Sequence, residues 1–340
     1  MSSHKQLRIG LIGAGRIGRL HAENIALRIP EAALVAVADV SLPNARECGE
    51  RFGIRKISED YRAILSDSDV EAVVICSSTD THSRIIGEAA DAGKHIFCEK
   101  PIDFDLARID AALTCVEQAG IKLQIGFNRR FDGNFSRVQK AVASGEIGIP
   151  HLLRITSRDP APPPLEYIKV SGGLFLDMTI HDFDMARFLV GSEVKSVYAQ
   201  GAVLVDPGIG KAGDIDTAIV TLEFENGELG SIDNSRRAVY GYDQRVEVFG
   251  SEGNIQADNN TQDRTLLSNC NGVHGALPLY FFLERYRESY VAELQAFVKC
   301  VREDGAPPVS GADGRAPVVI GLAAQKSLRE KRPVLVKEIG

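Results

Sequence analysis

The hexapeptide Gly13-Ala14-Gly15-Arg16-Ile17-Gly18 follows the apolar run Arg8–Ile12 and opens a helical pattern. Nothing else in the chain limits its fold as strongly. The first glycine permits a tight turn, the second lets backbone amides approach a pyrophosphate, and the third allows close helix–strand packing. Similar short apolar runs recur at 34–38, 72–76, 95–98 and 122–127, with helical patterns at 17–27, 83–92 and 106–119 between them. Continuous apolar strands that alternate with helices predict an α/β fold: a doubly wound parallel sheet covered on both faces.

Beyond residue 127 the texture changes. After a helical stretch at 134–143, alternating segments follow at 152–157, 194–203, 217–224, 230–234 and 246–249. Asn226-Gly227 between two of them is a hairpin signal. Close strand spacing predicts a mainly antiparallel sheet in an α+β domain. Pro160-Ala161-Pro162-Pro163-Pro164 reads as a stiff surface loop, and helices are expected at 286–303 and 314–331 before a last strand at 334–337. The expected domains are 1–127 and 128–340, with the last helix free to pack back on the first domain. A chain of 340 residues suits two cores.

A net charge of −7 argues against nucleic acid as a partner, and no apolar run reaches the length of a membrane span. Met1-Ser2-Ser3-His4-Lys5-Gln6 runs into the first strand with no signal-peptide core. Six cysteines, several inside apolar strands and none in a CxxC pair, read as free thiols in a reducing compartment. A cytoplasmic location is the expectation.

Asp39 ends the second apolar run, Val35-Ala36-Val37-Ala38, about 20 residues after the turn. A carboxylate there accepts hydrogen bonds from ribose hydroxyls and repels a 2′-phosphate, which favours NAD over NADP; Arg16 offsets part of that repulsion. Gly13, Gly15, Arg16, Ile17 and Gly18 are the predicted pyrophosphate residues. The polar loop Ser77-Ser78-Thr79-Asp80-Thr81-His82 follows the third run, where ligands gather beyond strand ends. Ser77, Thr79 and His82 are candidate cofactor contacts there, with helix capping by Thr79, Asp80 or Thr81 as the structural alternative.

Lys100 stands between Glu99 and Pro101 at the end of the fourth run, and the proline limits how it projects. A partly desolvated lysine can stabilise an alkoxide, whereas an ordinary lysine pairs with a neighbour such as Glu99. Asp177 and His181 lie four residues apart, which is one turn, so on a helix both project from the same face. A neutral imidazole can take an alcohol proton near neutral pH. The alternatives are an Asp177 that merely caps a helix, or a zinc site with Asp182 or Asp184, disfavoured because no second histidine lies near. No metal is expected, and Asp177, Asp182 and Asp184 all stand as candidates to orient the imidazole.

In this order and spacing, the glycine turn, Asp39, Glu99-Lys100-Pro101 and Asp177-x-x-x-His181 resemble the glucose–fructose oxidoreductase/inositol dehydrogenase/rhizopine catabolism family over essentially the whole chain. Gly126-Phe127-Asn128-Arg129-Arg130-Phe131-Asp132 and Ser171–Arg187 are most similar to its inositol 2-dehydrogenase branch. The resemblance implies a Rossmann domain with NAD and a second, open-faced sheet domain that makes dimers or tetramers. It implies a catalytic set of Lys100, Asp177 and His181, with Glu99 and Lys100 beside the cofactor. The expected substrate is a cyclic polyol, foremost myo-inositol, oxidised at a secondary alcohol to 2-keto-myo-inositol. Its hydroxyls are assigned to Lys100, Asn128, Arg129, Arg158, Asp159, Asp177, Thr179, His181, Tyr240 and Tyr286. The alternatives are scyllo-inositol, another sugar or an anhydrosugar; a non-catalytic NAD-binding regulator is disfavoured because the whole catalytic set is kept.

Overall fold

The computed structural model describes residues 6–340, so the first five residues, part of the segment read above for a signal peptide, lie outside it. Two compact units make up the chain. The first comprises the chain through Asn128 together with Glu288–Ala316, and the second Arg129–Arg287 with Pro317–Gly340.

In the first unit, β1 (Leu7–Ile12), β2 (Ala32–Ala38), β3 (Lys56–Ser58), β4 (Ala72–Ile75), β5 (His95–Glu99) and β6 (Leu123–Gly126) form a parallel sheet in the order β3-β2-β1-β4-β5-β6. Crossover helices at Arg16–Arg28, Leu42–Phe52, Thr79–Asp91 and Leu106–Ala119 cover it. Strand order reverses between β1 and β4, the place where a doubly wound sheet opens a crevice at its carboxyl edge. The core joins Ile9, Leu11, Val37, Val74 and Phe97 of the strands to Val291, Leu294, Phe297 and Val298 of the helix Arg287–Arg302.

That helix corrects the expected division. The segment returning to the first unit is Glu288–Ala316, so the second domain is not one continuous stretch 128–340. The final helix, Gly311–Glu330, belongs to the first unit only through Ala316. Farther along, Gly321 lies so close to Leu176 that a Cβ there would meet Leu176 Cδ2 at 2.6 Å.

In the second unit, β7 (Pro150–Arg158), β8 (Val194–Ala202), β9 (Thr217–Phe224), β10 (Leu229–Ser235), β11 (Asp243–Gly250) and β12 (Asn254–Ala257) build the main sheet. A two-stranded ribbon of β13 (Leu266–Asn269) and β14 (Gly272–Gly275) stands apart, and β15 (Val334–Leu335) completes the main sheet at its edge. The sheet order is β12-β11-β7-β10-β9-β8-β15, antiparallel except for the pair β7–β10. Asn226-Gly227 turns β9 into β10, with Gly227 at φ +96° as a tight hairpin requires. One sheet face is buried through Leu153, Ile155, Val220, Leu222 and Ile232 and meets the helix Ile180–Val190; the other face is open. All six cysteines are free, with Cys48, Cys98 and Cys300 buried and Cys270 exposed. No helix among the described residues is long and apolar enough to cross a membrane.

Candidate active site

The glycine turn follows β1 directly. Gly13 adopts φ +97°, and a Cβ there would meet the Cys76 backbone at 2.6 Å, so only glycine fits. Gly18 packs against the Gly13 carbonyl more closely still. Gly15 faces open space and begins the helix Arg16–Arg28 with no side-chain cap, leaving the first amides of that helix for an anion. This cradle fits a dinucleotide pyrophosphate. Asp39 follows β2, where its Oδ2 accepts the Ala14 amide at 2.6 Å and its Oδ1 the Ser41 amide at 2.7 Å. The carboxylate thus braces the turn it was expected to serve only as a ribose acceptor.

After β4, Ser77 Oγ shares a hydrogen bond with Thr81 Oγ1 at 2.7 Å, and Ser78 begins the helix, with Thr79 as its first residue. His82 is buried, with Nδ1 2.8 Å from the Pro101 carbonyl and Nε2 2.9 Å from the Ser77 carbonyl. Both ring nitrogens lie against backbone carbonyls, so His82 ties the β4 loop to the segment carrying Lys100. Glu99 is similarly committed: its Oε1 lies 2.6 Å from His21 Nε2. Lys100 follows β5, and its bond to Pro101 is cis.

Asp177 and His181 do not share one helix. Asp177 ends the five-residue helix Gly173–Asp177, Met178 and Thr179 form a turn, and His181 lies in the first turn of Ile180–Val190. The Thr179 amide reaches back five residues to the Leu174 carbonyl at 3.0 Å, which marks the break. The four residues from Asp177 to His181 therefore span a turn between two helices, although Met178 and Thr179 keep right-handed helical dihedrals. Tyr167 donates its hydroxyl to Asp177 Oδ1 at 2.9 Å, and Arg236 donates to Oδ2 at 3.0 Å. The other two aspartates are held by arginines. Asp182 takes Arg129 at 2.6 Å and Asn234 at 2.8 Å, and Asp184 takes Arg130 at 2.6 Å.

The polyol residues expected from sequence separate into groups. Arg129 and Thr179 are buried in the framework: Arg129 pairs with Asp182 and lies over the Tyr286 ring, and Thr179 donates to Asn234 Oδ1 at 2.7 Å. Burial works against the Arg129 charge, but Tyr286, Tyr242 and Asp182 more than offset it and hold its pKa above the ordinary value. Arg158 and Tyr240 lie on the open sheet face. Arg158 pairs with Asp233 at 2.6 Å and donates to Tyr240 Oη at 3.1 Å. Neighbouring Ser157 and Asn234 point the other way, into the buried face where Asp182 and Thr179 lie, because strand side chains alternate. Asp159 stands 3.9 Å from Arg236. Burial, partly countered by Arg236 and reinforced by Asp177, raises its carboxyl to about 6. Asn128 Nδ2 and Tyr286 Oη are buried and have no hydrogen-bond partner among the described residues.

Two family comparisons cover most of the chain. Residues 7–127 match "Oxidoreductase family, NAD-binding Rossmann fold", and residues 135–256 match "GFO/IDH/MocA C-terminal domain". The chain belongs to the GFO/IDH/MocA oxidoreductase family. It is 55% identical over 333 residues to the myo-inositol 2-dehydrogenase of Thermotoga maritima, spanning 98% of this chain and 99% of that one. The crystal structure of a probable dehydrogenase from Thermotoga maritima, also 55% identical, has a TM-score of 0.97 and covers 98% of this chain and 100% of its own. Scyllo-inositol dehydrogenase from Lactobacillus casei, solved with bound NAD(H) and scyllo-inositol, is 31% identical with a TM-score of 0.92, covering 98% and 100% of the two chains.

In this GFO/IDH/MocA oxidoreductase the cofactor is NAD, the dinucleotide of the matched Rossmann family, and the open glycine cradle fits its pyrophosphate. Sequence reasoning missed several residues that brace the family motifs. His21 sits one helical turn after Gly18 and reaches Glu99 across 78 positions. Glu293 is fully buried beside that pair, where burial and Glu99 push its carboxyl well above the usual range. Arg236, just after β10, and Asp214, in the loop before β9, meet the Asp177 helix from 40–60 residues away. The one available signal was a charged residue inside an apolar pattern, as at Glu293.

Proposed function

We infer that the protein is an NAD-dependent inositol 2-dehydrogenase, an oxidoreductase acting on the CH–OH group of myo-inositol to give 2-keto-myo-inositol. The observation that carries this reading is 55% identity to the myo-inositol 2-dehydrogenase of Thermotoga maritima along nearly the full length of both chains. The 31% identity to a scyllo-inositol dehydrogenase favours scyllo-inositol as the second substrate to test.

When bound, NAD supplies the hydride-accepting chemistry. Gly13, Gly15, Arg16, Ile17 and Gly18 would hold its pyrophosphate, Asp39 its ribose, and Ser77 and Thr79 the parts beyond. On the substrate, His181 is the general base that takes the hydroxyl proton, Lys100 stabilises the developing alkoxide, and Asp177 orients the reacting hydroxyl and balances the lysine charge. The reading assigns further polyol hydroxyls to Asp159, Asn128 and Tyr286, the last two because each keeps a buried polar atom without a protein partner. A pocket that bonds each hydroxyl discriminates strongly between epimers.

The same reading places the enzyme in the cytoplasm as a homo-oligomer, a dimer or tetramer, joined through the open sheet face. Its support is the unpaired state of all six cysteines and the exposure of Leu152, Ile219, Leu229 and Phe249 on the main sheet. Light scattering of the purified protein tests the assembly. NADH absorbance with myo-inositol, scyllo-inositol, glucose, galactose and levoglucosan tests the chemistry. Clear turnover of an aldose or anhydrosugar with none of either inositol overturns the substrate, and no turnover at all favours a regulator.

A further inference from the structure

Arg236 follows β10, and its guanidinium is almost wholly buried, with a relative exposure of 1%. A buried cation demands negative partners, and three carboxylates surround this one. Its Nη1 lies 3.0 Å from Asp177 Oδ2 and 3.9 Å from Asp159 Oδ2, and its Nη2 lies 4.0 Å from Asp214 Oδ2. The first contact is a charge-assisted hydrogen bond; the other two are longer ion pairs.

Asp214 acts on the opposite end of the same short helix. Its Oδ1 accepts the Leu174 amide at 3.1 Å, at the start of Gly173–Asp177. Gly173 adopts φ +79°, and a Cβ there would come within 2.8 Å of Asp214 Oδ1, so the glycine admits the carboxylate. Gln325 adds a bond to the Gly172 carbonyl at 3.1 Å. A helix of five residues has little stability of its own. Here the amide of its second residue is held by Asp214 and its last side chain by Arg236, and those two groups form an ion pair at 4.0 Å.

We propose that Arg236 and Asp214 form a clamp that positions Asp177 for the polyol, with Arg236 a positioning residue that sets substrate affinity. The proposal rests on the reading that Asp177 touches the substrate. Tyr167 occupies one Asp177 oxygen and Arg236 the other, so the orientation of the carboxylate is established before substrate arrives. Lysine would keep the charge at position 236 but lose the planar fork that reaches two carboxylates.

The test is steady-state kinetics of the full chain with myo-inositol and NAD, comparing wild type, Arg236→Gln, Arg236→Lys and Asp177→Asn, with thermal melts of each. Arg236→Gln is expected to raise KM for myo-inositol about tenfold to a hundredfold, the effect of one lost charge-assisted hydrogen bond, while KM for NAD stays within about twofold. Arg236→Lys should raise it less and still by about threefold or more, and this variant carries the test if Arg236→Gln does not fold. A purely structural arginine would lower the melting temperature without separating the two KM values. If the variants at 236 keep wild-type KM for myo-inositol while Asp177→Asn loses turnover, the clamp is overturned and the role of Asp177 stands. If Asp177→Asn keeps wild-type kinetics, both fall.

Discussion

The Asp39 carboxylate accepts the backbone amide of Ala14, in the middle of the glycine turn, at 2.6 Å. A residue expected to face the ribose is therefore also a brace for the loop that meets the pyrophosphate. Asp39→Ala removes a negative charge and, with it, acceptors for two backbone amides. Efficiency with NAD should fall by about tenfold or more, and the ratio of NADP to NAD efficiency should rise. A wild-type enzyme more efficient with NADP than with NAD would show that Asp39 does not select the cofactor.

His181→Ala should lower turnover of myo-inositol by roughly 10²–10⁴-fold, the span usual for a lost general base, while NAD affinity measured by fluorescence titration changes little. Retention of half the wild-type rate at neutral pH would remove His181 from the chemistry.

Arg129→Ala should act on stability. Its loss strands Asp182, which is fully buried and whose carboxyl is already raised by burial against the opposing pull of Arg129 and Asn234. Breaking a buried pair from one side costs about 3–5 kcal/mol. Urea unfolding should show that loss, and adding Asp182→Asn to Arg129→Ala should recover part of it. A variant as stable as wild type but with a raised KM for inositol would return Arg129 to the polyol pocket.

Asp159 gives stability a pH dependence of known sign. Its folded pKa of about 6 lies above the ordinary 3.8, with burial the main cause, Arg236 opposing and Asp177 adding. The folded state therefore holds this proton more tightly than the unfolded chain. Below about pH 4 both states are protonated and the cost is absent. Between about pH 4 and 6 the unfolded chain loses the proton first, so the Asp159 contribution falls as pH rises, by at most ~3 kcal/mol, and stays at that level above pH 6. Asp159→Asn escapes this cost. Its stability relative to wild type should increase from pH 4 to pH 7.5 in parallel urea titrations; a difference independent of pH would mean that Asp159 titrates normally.

What the amino-acid order determined by itself were features whose physics is local. The glycine turn, the strands β1, β2, β4 and β5, the Asn226-Gly227 hairpin and the alternation of β9 follow from backbone sterics and from where apolar side chains fall in a period of two or 3.6. The position of Asp39 after β2 and of Lys100 after β5 came with them, because a parallel sheet carries such residues to its carboxyl edge. Tertiary structure decided what depends on partners distant in sequence. The return of Glu288–Ala316 to the first unit, and the parallel pairing of β7 with β10, are made by contacts that no window of sequence contains. The break at Met178 and Thr179 interrupts a pattern that reads as one helix. A buried charge or hydroxyl must find a partner wherever the fold supplies one. So Arg129 was claimed by Asp182, Thr179 by Asn234, Glu99 by His21 and Asp177 by Arg236, while a single step of alternation along β7 sent Arg158 to the open face of the sheet.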